Sequence, residues 1–189
     1  MYIRLLALLL LLPVTSFAAN DTDLAKLIEL KKTQTSVRLD LSNADLRQYT
    51  FTPGKIDLQL ANLSHTNLSG AVLSKMNLGG ADLSYADLSN AKLIEVNLTG
   101  ANLSHANLTG AQLQQSDLSG ADLSFVQLTG ANLQQAILAK TNLLCANLNQ
   151  ANLNRANMSA ADISGATFVN TSTVEISGYE SVIDAKVGC

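Results

Sequence analysis

Tryptophan is absent, and four Tyr and four Phe make up all the aromatic side chains in 189 residues. A core built on rings is therefore excluded, and leucine and alanine must supply the interior. Charge is also sparse: 12 Lys plus Arg stand against 15 Asp plus Glu, a net −3, which marks no strongly basic or acidic partner. Only two histidines occur, His65 and His105. No apolar run is long enough to cross a bilayer, since the greasy stretch 5–12 stops at Pro13. No glycine-rich phosphate cradle is present either.

What is abundant is a five-residue beat. Every fifth residue from Leu63 to Leu153 is Leu, including Leu83, Leu103 and Leu123, and Met158, Ile163 and Phe168 finish the series. Two positions earlier sits a small residue such as Ala61, Thr66, Ala71 or Ala101, with Asn or Asp between the two and usually Ser, Thr or Gly after. Helices repeat at 3.6 and strands at 2, so a sustained five fits neither. It fits a chain that turns a corner every five residues and points one large and one small apolar group inward per side. Four sides make a coil of about twenty residues, and coils must stack to bury their faces.

The Ala-(Asn/Asp)-Leu-(Ser/Thr)-X phrase, held from about Leu39 to Phe168, resembles the pentapeptide-repeat family. The resemblance implies an all-β fold, a right-handed, four-sided (quadrilateral) parallel β-helix solenoid. Corner residues agree with four sides. Gly70, Gly80, Asn90, Gly100, Gly110, Gly120 and Gly130 alternate with His65, Lys75, Tyr85, Glu95, His105, Gln115 and Phe125. Glycine at the first set permits a positive φ that a Cβ resists, so one pair of faces is expected to be tight and the other bulky.

Along the chain, 1–18 reads as a secretory signal: Arg4, the apolar stretch 5–12, and Ser16-Phe17-Ala18 with cleavage after Ala18. The other reading is an uncleaved anchor; with cleavage there is no stable membrane insertion. Residues 19–36 read as a short N-terminal capping helix, with Asp21 or Thr22 at its start and Leu24, Leu27 and Ile28 on one stripe, laid over the first coil. The β-helix is expected over 37–170. Its beat slips by two residues near Thr52-Pro53-Gly54-Lys55, turn formers able to absorb a corner bulge. Residues 171–189 read as a C-terminal cap or tail, a strand and a helical turn, or as a homodimer contact.

Residues twenty apart form surface columns. His65, Tyr85, His105 and Phe125 make the most distinctive one, read either as cross-coil stacking or as an interaction face. Its two histidines are two coils apart, too far to share a metal, and no metal or cofactor is expected. The tail is long enough for Cys189 to fold back on Cys145 as a disulfide; otherwise Cys145 is an outward residue and Cys189 a free end. Lys75 and Glu95 fall on adjacent coils, and columns such as Asn62, Asp82, Asn102, Asp122, Asn142 and Asp162 suit amide ladders better than a calcium loop.

A filled solenoid offers no convergent pocket, so no catalytic residues and no enzyme activity are expected. The signal places the protein in the periplasm or outside the cell, as an interaction or structural scaffold with a protein partner and not nucleic acid. The family resemblance implies an alternative, a DNA-mimic-like binder of DNA gyrase or topoisomerase. Between Leu58 and Phe168, however, six acidic side chains face four basic ones, a poor copy of a polyphosphate. A secreted effector is a third reading.

Overall fold

The computed structural model describes residues 38–178 and Cys189. The expected signal 1–18 and capping helix 19–36 lie outside the described residues. Among those described there is no helix; the backbone is a repeated alternation of bridge and turn.

Parallel bridges define the coil. Asn62 pairs with Asp82, Asp82 with Asn102, Asn102 with Asp122 and Asp122 with Asn142, each step being twenty residues. The first coil is longer. Asp40 pairs with Asn62, Asp45 with Asn67 and Thr50 with Val72, a step of 22. The two extra residues sit in the turn after Phe51, where the Lys55 amide donates to the Thr52 carbonyl at 3.1 Å.

Each side is closed by a β-turn, as where the Thr66 amide donates to the Leu63 carbonyl. The third turn residue has a positive φ, the mark of a type II turn. Glycine is not required for it: His65, Tyr85, Glu95, Phe125 and Arg155 all adopt φ between 56° and 60°. The expected division into glycine corners and bulky corners is thus one of side-chain size only. The backbone turns alike at both, because the corner amide is tied to the next coil, His65 to the Ser84 carbonyl at 2.9 Å and Tyr85 to that of Ser104 at 3.0 Å. That pairing holds bulky residues in a conformation costing about 1–2 kcal/mol each.

The interior is filled. Leu63, Leu83, Leu103, Leu123 and Leu143 stack coil over coil with almost no exposure, and Ala61, Ala81, Ala101 and Ala121 fill the narrower positions. Each buried leucine contributes about 2 kcal/mol. Among the described residues four polar side chains are buried, Thr66, Ser116, Ser124 and Thr141, and the hydroxyls of Thr66, Ser116 and Thr141 donate to the carbonyl three residues back, on Leu63, Leu113 and Leu138. The coil also outlasts its sequence phrase. Asn152 pairs with Ser172 and Asn157 with Ser177, so it runs on to Ser177, into the segment read as a cap from 171 onward. Backbone pairing, which needs no leucine, carries it there: the Leu153 amide reaches the Ser172 carbonyl at 2.7 Å.

Candidate interaction surface

The corner turns project His65, Tyr85, His105 and Phe125 outward from successive coils. Their rings stack face to face, with centroids 4.9, 4.7 and 4.9 Å apart and planes within 4°, 2° and 1° of parallel. These separations match the spacing of paired strands, about 4.8 Å, so the backbone sets the stack. Tyr85 and His105 have both faces covered by neighbouring rings. What solvent meets is the ring edges, and Tyr85 remains 53% and Phe125 41% exposed.

One coil beyond Phe125 the column continues with Cys145, and one further with Gly165. Cys145 and Cys189 are joined by a disulfide, their Cα atoms 5.8 Å apart. Gly165, at φ +68°, lies against it: a Cβ there would come within 2.5 Å of the Cys189 Sγ and 3.3 Å of the Cys145 Sγ.

Beside the ladder run the Asn/Asp columns. Each side chain first closes a local turn: Asn62 Oδ1 accepts from the Ser64 amide at 3.1 Å and its hydroxyl at 2.8 Å, and Asp82 Oδ1 accepts from the Ser84 amide at 3.0 Å. Asparagine then links coils, with Asn102 Nδ2 donating to Asp82 Oδ1 at 3.2 Å and Asn142 Nδ2 to Asp122 Oδ1 at 3.0 Å. The sequence signal for the local turns was the Asn or Asp itself, since the same bond forms where the residue two on is Gly79, Gln134 or Leu144. Asp162 is held below the usual carboxylate range by hydrogen bonds from the Ser164 hydroxyl and then its amide. Among the described residues, no group of three or more His, Cys, Asp or Glu could hold a metal ion.

A second bulky corner carries Lys75, which pairs with Glu95 at 3.6 Å, Gln115, which donates to Gln135 at 3.0 Å, and Arg155, which pairs with Glu175 at 2.7 Å. These pairs are exposed, and such pairs contribute about 0–1 kcal/mol.

The family model for pentapeptide repeats matches in eight copies, over residues 56–100, 97–135 and 132–170. The chain belongs to the pentapeptide-repeat family. Its four-sided coil is accordingly a right-handed β-helix solenoid. Among solved pentapeptide-repeat structures, one from the cyanobacterium Cyanothece 51142 is 38% identical over 49% of this chain and 63% of that one, with a TM-score of 0.48. The match thus spans less than two thirds of that relative. HetL from Nostoc sp. strain PCC 7120, a protein involved in heterocyst differentiation regulation, is 31% identical over 73% of this chain and 80% of its own, with a TM-score of 0.32. QnrB1, a plasmid-mediated fluoroquinolone resistance protein, is 16% identical over 80% and 86%, with a TM-score of 0.42. No curated protein matches.

Proposed function

We propose that this pentapeptide-repeat chain is an exported, non-enzymatic scaffold that binds a protein partner through the corner bearing His65, Tyr85, His105 and Phe125. The observation that carries the reading is the ring stack itself: four side chains held in register on a rigid backbone, edges outward. Such side chains have little rotamer freedom left to lose on binding, and aromatic residues dominate the energetics of protein interfaces. The leucine-filled interior leaves recognition to the outer faces. Export is supported by Arg4, the apolar stretch 5–12 and the small residues at 16–18, and by a disulfide suited to an oxidising compartment.

The test is fractionation of cells followed by cross-linking of the mature chain where it resides, with the Tyr85→Ser/Phe125→Ser variant alongside. The reading expects an envelope or extracellular partner that the variant no longer captures. A cytoplasmic chain cross-linked to gyrase would replace it with the alternative reading.

A further inference from the structure

Among the described residues, 159–178 form the last coil, and its backbone pairs with the coil beneath it. Its carbonyls at Asp162, Thr167, Ser172 and Ser177 accept from the amides of Leu143, Leu148, Leu153 and Met158. It is less well packed than the coils beneath it, for Ala161, Phe168 and Ile176 are only partly buried. In a stack of repeats the terminal unit opens first.

Two close approaches hold it. Gly178 lies directly over Ser159, where a Cβ would come within 2.5 Å of the Ser159 backbone. The second is the disulfide, which starts at Cys145 on the coil below, passes the bare Cα of Gly165 on the last coil, and ends at Cys189 beyond it. Gly165 of the last coil therefore lies against both halves of the staple, Cys145 and Cys189. Cys189 is the exposed half of the pair, whereas Cys145 is half-buried, so a thiolate from solvent meets Cys189 first.

We propose that Cys145–Cys189 is a thiol-exchange site, that its reductant is a dithiol, and that opening it releases the last coil from the stack. A thiolate of the reductant attacks the Cys189 Sγ and forms a mixed disulfide. The electron pair of the broken S–S bond leaves on the Cys145 Sγ, which takes a proton. The reductant's second thiol then attacks the mixed disulfide, leaves as its own disulfide and returns Cys189 as a thiol. Two electrons and two protons pass to the protein. This inference stands apart from the ladder's binding role, and either can fail without the other.

The experiment is amide hydrogen exchange on the full oxidised chain, before and after dithiothreitol, with released thiols titrated. Exchange at Leu143, Leu148, Leu153 and Met158 is expected to rise about tenfold or more on reduction, while Leu83 and Leu103 stay protected. Gly165→Ala should leave thiols free under oxidising conditions and show the fast exchange without reductant. Cys145→Ser/Cys189→Ser should show it in both conditions. Unchanged exchange after complete reduction would overturn the proposal, and so would an equal rise at Leu83 and Leu103, since the opening would then not be confined to the end.

Discussion

Asn102 donates its side-chain amide to the Asp82 carboxylate one coil away, at 3.2 Å. Alternation of amide and carboxylate thereby turns a column that would repel itself into one that pairs. Asn102→Asp would place carboxylates on three successive coils and remove the donor. Stability should fall by about 1–2 kcal/mol. Urea denaturation in low and high salt checks this, since added salt should narrow the gap to wild type; a loss independent of salt would remove repulsion from the account.

Leu103 is fully buried between Leu83 and Leu123. Leu103→Ala should cost about 2–5 kcal/mol, read as a lower urea midpoint, because neighbouring coils are fixed by backbone pairing and close poorly on the cavity. Leu103→Asp should abolish the cooperative melt altogether, having no partner for the charge. A native β circular dichroism spectrum with a sharp transition in that variant would contradict the filled-core picture.

Tyr85 combines a gain and a cost, two ring contacts and a φ of +58°. Tyr85→Ala loses the contacts and keeps the strain; Tyr85→Gly loses the contacts and relieves it. The glycine variant should be the more stable of the two by about 1 kcal/mol. Thermal melts of the pair decide, and the reverse order would mean the corner is not strained.

Acid should weaken the fold through two aspartates. Asp162 is lowered from 3.8 by the Ser164 hydroxyl and amide, and Asp45 from the same value by the Arg47 side chain. A carboxyl with a depressed folded pKa stabilises fully above its unfolded value, and that contribution is lost as pH falls through the folded one. The loss should thus appear below 3.8. Asp162 is exposed and Asp45 partly so, and solvent screening should keep the loss small. Asp162→Asn should flatten the dependence in denaturation midpoints taken across that range.

The coil was legible because its signal is short and repeated: Leu63, Leu83 and Leu103 fall inward wherever one starts counting by fives. The ring column was legible as spacing alone, His65 to Phe125 in steps of twenty. Other features were not, for reasons of scale. Positive φ at Tyr85 and Glu95 contradicts local propensity and is imposed by amides that reach the next coil. The run from Phe168 to Ser177 lacks the phrase and is held by the coil beneath it. Gly165 looks like any other corner glycine until Cys189 is seen to return against it.

The first coil's longer step shows that this architecture tolerates extra residues at a corner while the pairing above resumes in register. Inside and outside therefore answer to different clocks. Deleting five residues would keep every leucine facing in yet turn all later columns by a quarter revolution, scattering the rings over two corners. Deleting twenty would shorten the rod and leave its surface pattern whole, so gain or loss of full revolutions is the change in length that such a surface can survive.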